Sequence, residues 1–210
     1  MKLIAHRGIT NKYIKENTIE SFINAIKNNY DGIELDIRKT KDKKIVVLHD
    51  KFINRTSNGV GNINNLTYNE VKKYNFGTNK VKSKIPLLSE VIDKINNTII
   101  FIEIKEEINK EELGNILNRN KTNTYYIMSF NKKYIDNLLG IEYKLGLINY
   151  VFNSNIDLSK YDFLLILEDL FNKDIYEYLL KNNIESVIYN TLGNIKIKNK
   201  DIIDNLKYII

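Results

Sequence analysis

Gly32-Ile33-Glu34-Leu35-Asp36-Ile37-Arg38, followed after a short polar break by Ile45-Val46-Val47-Leu48-His49, is the stretch on which the fold turns. Both segments read as strands, and the few residues between Ile37 and Ile45 leave no room for a helical crossover. An antiparallel hairpin is therefore expected. Working outward, further strand-like runs lie at Lys2–Ala5, Ile99–Ile104, Tyr125–Ser129, Lys144–Ile148, Phe163–Leu167, Ser186–Tyr189 and Lys207–Ile210. Amphipathic stretches at Thr18–Asn28, Leu88–Ile95, Lys110–Asn118, Lys132–Leu139 and Lys173–Lys181 are expected to be helical, the first with Ile19, Phe22, Ile23 and Ile26 on one face. Strands alternating with helices point to repeated βα units around a parallel sheet. Nine runs are one too many for an eight-stranded barrel, and the hairpin accounts for the surplus, so the remaining eight predict a (β/α)8 barrel.

Between Asn54 and Lys84 the chain is rich in Asn, Gly, Lys and Thr with weak periodicity, and is too long for a plain connection. It reads as an insertion of approximately residues 50–86 over one end of the barrel, within a single domain spanning 1–210. A chain of 210 residues with 43% hydrophobic content can bury one substantial core. The net charge of +6 comes from lysines spread along the whole chain, without the dense basic block or aromatic platforms that a nucleic-acid partner would need. With no cysteine, disulfides and thiolate metal sites are excluded, so a metal must be held by oxygen or nitrogen. The same absence, together with a start (Met1–Gly8) that has no apolar signal-peptide run, favours a cytoplasmic location. The longest apolar runs fall far below the roughly 20 residues of a membrane span, so no stable membrane insertion is expected.

Glu34 and Asp36 lie two apart on one strand, so both carboxylates face one side while Ile33, Leu35 and Ile37 face the other. The same alternation puts Glu103 and Lys105 together at the end of Ile99–Lys105. Taken alone, an E-x-D pair is an ordinary solvated strand face. Here all three acids fall toward the C-terminal ends of their strands, where barrel enzymes keep their active sites. Three carboxylates sharing an interior would repel one another unless a cation sat among them, and a hard divalent ion, Mg²⁺ or Ca²⁺, matches such oxygens. The only two histidines, His6 and His49, each end a strand. A hairpin turning about Asp42-Lys43 would set His49 opposite Asp36, and His6 would adjoin the strand carrying Glu34. Arg7-Gly8 suits an anionic oxygen ligand, because guanidinium offers a planar fork and glycine lets the backbone approach. Glu16-Asn17-Thr18 reads as a helix start capped by Asn17 or Thr18, which is compatible with a polar contact to the site.

The ordered set Ala5-His6-Arg7-Gly8, Glu16-Asn17-Thr18, Asp31–Ile37, Thr40-Lys41-Asp42, Val46–Asp50, Asn54-Arg55-Thr56, Gly59-Val60-Gly61, Ile85-Pro86-Leu87, Glu103-Ile104-Lys105 and Ser129-Phe130 resembles the glycerophosphodiester phosphodiesterase family, on a barrel of the phospholipase C-like type. The resemblance runs over roughly residues 3 to 130. It implies hydrolysis of glycerophosphodiesters, such as glycerophosphocholine, to sn-glycerol 3-phosphate and an alcohol. It also implies Glu34, Asp36 and Glu103 as metal ligands, His6 and His49 as general acid and base, and Arg7 and Lys105 at the substrate, Arg7 on its phosphate and Lys105 in the charge balance. The insertion after His49 would cover the site and shape substrate choice. A lyase forming a cyclic phosphate, as in the related phospholipase C-like and sphingomyelinase D-like enzymes, is the alternative chemistry. A non-catalytic phosphometabolite-binding protein is the alternative class. The match thins toward the end: where the family has a tryptophan-containing W-T-V-N segment, this chain has Ile188-Tyr189-Asn190-Thr191 and then Leu192-Gly193-Asn194, with Tyr189 as the substitute aromatic. The family's D-G-I-x-T-D ending is reduced to Lys207–Ile210.

Overall fold

Among the described residues the apolar runs form nine strands: β1 (Lys2–His6), β2 (Gly32–Lys39), β3 (Ile45–Val47), β4 (Ile99–Ile104), β5 (Thr124–Ser129), β6 (Lys144–Ile148), β7 (Phe163–Leu167), β8 (Glu185–Tyr189) and β9 (Tyr208–Ile209). The helices are α1 (Ile19–Lys27), α2 (Tyr68–Val71), α3 (Leu88–Lys94), α4 (Lys110–Leu117), α5 (Lys132–Asp136) and α6 (Lys173–Lys181). The structure is a computed structural model that describes residues 1–153, 156–190 and 208–210; Thr191, Leu192-Gly193-Asn194 and Lys207 lie outside the described residues. Eight parallel strands run in the order β1-β9-β8-β7-β6-β5-β4-β2, and the β1–β2 pairing closes the ring. Short as it is, β9 completes the cylinder by pairing on both sides, Tyr208 with Lys2 and Val187, Ile209 with Leu3 and Ile188. β3 stands outside the ring, antiparallel to β2.

The hairpin forms in a different register from the one expected. Ile37 pairs with Val47 and Lys39 with Ile45, so Leu48 rather than His49 lies across from Asp36, and the Leu48 amide donates to the Asp36 carbonyl at 2.9 Å. The turn is the cause. Thr40 and Lys44 close a three-residue loop in which Lys43 takes a left-handed conformation, φ 63°. Such a loop advances the register by one residue relative to a two-residue turn about Asp42-Lys43.

Strand alternation sorts the core into two shells. Ile33, Leu35, Ile37, Ile100, Ile102 and Ile104 point outward under the helices. Ile4, Phe101, Tyr126, Phe163 and Tyr208 fill the lumen, where Phe101 and Tyr126 stack at 4.5 Å. Gly146 is required there, since a Cβ at that position would lie 2.5 Å from the Phe163 ring. Helix α1 starts with Thr18 and Ser21 capping each other's backbone N–H. Its buried face is Ser21, Phe22 and Ala25 with Ile19 packed beside them, so of the face expected from hydrophobicity Ile19 and Phe22 meet the core while Ile23 and Ile26 are exposed. Small side chains at 21 and 25 let the helix lie close to the sheet. The insertion builds its own small core on the far face of β3, from Val46, Leu48, Ile53, Ile63, Val71, Phe76 and Ile85. It ends where Leu87 bridges back to Val46.

Candidate active site and metal centre

Register assembles the acidic cluster. In parallel pairing His6 is the partner of Glu34, and Asp36 the partner of Glu103, so four side chains on three neighbouring strands project into the same end of the lumen. Carboxylate oxygens of Glu34, Asp36 and Glu103 all lie within 4.8 Å of one another, and all three residues are buried. The chain leaves β1 through Arg7 and Gly8, both with positive φ (56° and 77°). A Cβ at Gly8 would sit 2.5 Å from Ser21 Oγ, so only glycine allows this turn to seat against α1. Asn17, also left-handed at φ 55°, is not the helix cap; Thr18 is. Asn17 instead donates its side-chain amide to Asp36 Oδ2 at 2.8 Å.

Two cations meet the three acids. Lys105 Nζ lies 3.0 Å from Asp36 Oδ1 and 2.5 Å from Glu103 Oε1. Arg7 Nε lies 3.2 Å from Asp36 Oδ2, and its Nη1 donates to Glu16 Oε1 at 3.0 Å. Burial pushes the Asp36 carboxyl up, but Lys105 and Arg7 together outweigh it and hold the group below the usual carboxylate range. Glu103 is pushed up to about 7 by burial, with Asp36 adding to the rise and Lys105 opposing it. Glu34 is raised well above its ordinary value by burial and by the charges of Asp36 and Glu103. Its carboxylate accepts from the Arg7 backbone N–H at 3.1 Å, and His6 Nε2 lies 3.8 Å away. Among the described residues no Lys or Arg side chain forms an ion pair with Glu34, so its charged form is the least compensated of the three and is favoured only with a cation beside it. An all-oxygen, buried, electron-rich donor set of this kind fits a hard divalent ion.

The imidazoles flank this cluster. Both line one cleft of about 390 Å³ together with Glu34, Glu103, Tyr150 and Tyr189. A larger hollow of about 610 Å³ beside α6 is lined by Tyr176, Leu180 and Asn183 and gathers no such chemistry. His6 is edge-on to Tyr189, with ring centroids 5.2 Å apart and the hydroxyl 3.4 Å from Nδ1. Burial and the Arg7 charge lower its pKa to about 4. His49 is lowered as well, burial outweighing the pull of Asp36 and Asp50. Both shifts favour the neutral ring, the form able to accept a proton, and a ring that acts as an acid must first gain one. His49 reaches the cleft in spite of the shifted register because β3 has ended at Val47 and the chain bends, so strand alternation no longer sets its direction. Its Nδ1 lies 2.7 Å from Asp50 Oδ1, and Arg38 Nε donates to its carbonyl at 2.8 Å.

All seven residues singled out from the sequence thus surround one cleft or its floor: His6, Arg7, Glu34, Asp36, His49, Glu103 and Lys105. Asp50, Arg55 and Tyr150 carry no individual role in the sequence reading, and Glu16 carries only a polar contact compatible with its place before the helix start. Asp50 was readable as the acid next to His49, whereas Glu16 and Arg55 meet across 39 residues, a separation without any sequence signal. Tyr189, the substitute aromatic, packs on His6.

The sequence model of the glycerophosphoryl diester phosphodiesterase family matches residues 6–143. A glycerophosphodiester phosphodiesterase of Caldanaerobacter subterraneus subsp. tengcongensis is 42% identical over 112 residues, covering 50% of this chain and 46% of that protein. One from Bacillus altitudinis is 39% identical over 114 residues, covering 51% and 46%. The chain spans about half the length of these curated relatives. Among solved structures, an Oleispira antarctica phosphodiesterase in complex with the product sn-glycerol-3-phosphate superimposes with a TM-score of 0.86 at 21% identity, over 100% of this chain and 92% of that one. A glycerophosphodiester phosphodiesterase from Thermotoga maritima gives 0.78 at 26% identity, over 100% and 93%. No helix among the described residues is long and apolar enough to cross a membrane. With its family model matched from the His6 turn to beyond the third acid, the chain belongs to the glycerophosphoryl diester phosphodiesterase family.

Proposed function

We propose that this chain hydrolyses glycerophosphodiesters to sn-glycerol 3-phosphate and an alcohol, with His6 and His49 as the general acid and base and with Glu34, Asp36 and Glu103 holding a divalent ion, Mg²⁺ or Ca²⁺. One observation carries the reading: two imidazoles open on the same cleft as Glu34 and Glu103, whose carboxylates cluster with that of the fully buried Asp36 behind them. A bound divalent ion supplies charge neutralisation of the phosphodiester and of the negative charge that builds on its oxygens during substitution. The chain's own residues do the rest. Arg7 anchors through Asp36 and Glu16, and its Nη2, which makes no hydrogen bond among the described residues, is the donor left for a phosphate oxygen. Lys105 fixes the orientation of Asp36 and Glu103 and limits their mutual repulsion. One imidazole, in its neutral form, takes a proton from the attacking hydroxyl, and the other, which must enter as the imidazolium, gives its proton to the departing alcohol oxygen, each step contributing roughly 10² to 10⁴ in rate. The reading places the activity in a reducing cytoplasm, supported by the absence of cysteine, with a small-molecule partner and no nucleic acid.

The test is a panel of glycerophosphodiesters incubated with Mg²⁺, Ca²⁺ or chelator, with products resolved by phosphorus NMR. Release of sn-glycerol 3-phosphate that stops on chelation is the expected result. A cyclic phosphate accumulating as end product would replace hydrolysis with the lyase reaction, and turnover undiminished by chelator would remove the ion from the account.

A further inference from the structure

Arg55 lies on the insertion, half-exposed, and touches neither the acidic cluster nor either imidazole, yet every nitrogen of its guanidinium is engaged. Toward one side, Nε and Nη2 donate to Asp50 Oδ2 and Oδ1 at 2.6 and 3.1 Å. Toward the other, Nη1 and Nη2 donate to Glu16 Oε2 and Oε1 at 2.8 and 2.7 Å. Each of those carboxylates has a second engagement that leads into the cleft. Asp50 Oδ1 meets His49 Nδ1 at 2.7 Å, and Glu16 Oε1 accepts from Arg7 Nη1 at 3.0 Å. Arg55 is thus the middle of a polar chain, His49–Asp50–Arg55–Glu16–Arg7–Asp36, in which carboxylate and guanidinium alternate from Asp50 onward and which ends in the acidic cluster. Lys15 Nζ, donating to the Thr56 carbonyl at 3.3 Å, ties the same two loops together beside it.

The direction of the proton in the His49–Asp50 bond follows from this arrangement. A carboxylate that already receives two guanidinium N–H bonds is ionised and has only lone pairs to offer. The proton between Asp50 and His49 therefore sits on Nδ1, which leaves Nε2 of a neutral ring unprotonated. A planar fork that grips two carboxylates edge-on also fixes the plane of Asp50, and with it the ring of His49. An ammonium cannot do this, because it is a point charge with no preferred plane.

We propose that Arg55 is a positioning residue of the site: by clamping Asp50 and Glu16 in one plane, it holds the His49 ring in the tautomer that presents a bare Nε2, and it locks the insertion to the loop that carries Arg7. This rests on the function proposed above for His49, but it makes a claim about the free protein that needs no substrate. Half-exposed ion pairs contribute little to stability, so Arg55→Lys should leave folding intact while removing the planar grip.

The chain has only two histidines, so the two imidazoles can be observed without ambiguity by long-range ¹H–¹⁵N NMR at pH 8, on the full chain. In the unaltered protein His49 is expected as a single tautomer with the proton on Nδ1. In Arg55→Lys, and separately in Glu16→Gln, it is expected to become a tautomer mixture while His6 is unchanged. With glycerophosphocholine as substrate and Mg²⁺ present, Arg55→Lys is expected to lower kcat about tenfold with KM within a factor of two, and with an unchanged melting temperature. A His49 that keeps one tautomer in both variants overturns the proposal, as does a kcat equal to that of the unaltered protein. If the unaltered protein hydrolyses none of the diesters, the functional reading fails by itself, and the tautomer measurement alone decides the role of Arg55.

Discussion

The two imidazoles reach one cleft by opposite means. His6 belongs to a barrel strand: its position is set by pairing with Glu34 across β1 and β2, and its ring is packed edge-on against Tyr189. His49 belongs to no strand. It lies past the end of β3, where the hairpin ladder has run out, and is held by Asp50 and by the charges behind it. The barrel side is fixed by backbone hydrogen bonds and close packing, which admit few alternatives. The insertion side is fixed by half-exposed ion pairs, which are weak singly and sensitive to salt. The comparison teaches that one of the two imidazoles is fixed by the barrel itself while the other is held by ion pairs to the insertion.

The harshest way to break this symmetry of function is to delete each ring in turn. His6→Ala and His49→Ala should each lower kcat by roughly 10² to 10⁴ with the fold retained, as measured by circular dichroism beside the assay. Near-normal kcat in either variant would remove that ring from the mechanism. Next in size, Asp36→Asn takes away the charge shared by Arg7, Lys105 and the proposed ion. It should weaken Mg²⁺ or Ca²⁺ binding by on the order of 10²-fold or more in calorimetric titration. The proton offers a graded version of the same test. Burial pushes Glu103 up to about 7 and raises Glu34 as well, so a cation must displace protons from them, and affinity should fall at least about tenfold per pH unit as pH is lowered from 7 to 5.5. Flat affinity across that range would mean that Glu103 is not a ligand.

The smallest expected effects sharpen the contrast between the two sides. Tyr189→Phe keeps the edge-on ring against His6 and loses only a long hydroxyl contact, 3.4 Å, so kcat should change by no more than about twofold. Raising the salt concentration should disturb His49 and leave His6 alone, because a Debye length of about 3 Å at 1 M screens the Arg55 pairs but not the strand register. Equal salt response of both imidazole signals would contradict the division into a rigid and an ion-held side.

What the sequence made legible follows the same division. Strand-borne features could be read because alternation and parallel register are periodic. The E-x-D of β2, Glu103 on β4, the surplus strand as a hairpin and the closure by Tyr208–Ile209 all follow from counting. The readings that failed depend on local backbone geometry. The hairpin register was one residue off because a lysine, not a glycine, occupies the left-handed turn position at Lys43. His49 was placed in the cleft by an argument that the register does not support; it arrives there through the bend after Val47. The face of α1 was misread because Ser21 and Ala25, rather than Ile23 and Ile26, are what close approach to the sheet requires. Glu16 and Arg55 both lie in motifs of the resemblance, but their pairing could not be read because an ion pair between distant loops leaves no spacing signal.

The central claim is that both imidazoles lie beside one cation held by Glu34, Asp36 and Glu103. Substoichiometric Mn²⁺, a paramagnetic stand-in for Mg²⁺, tests it directly through the two imidazole NMR signals. The account requires both signals to lose intensity at the same low dose, ahead of ring signals outside the cleft, and to recover in Asp36→Asn. A His6 or His49 signal that stays sharp while Mn²⁺ binds would contradict it.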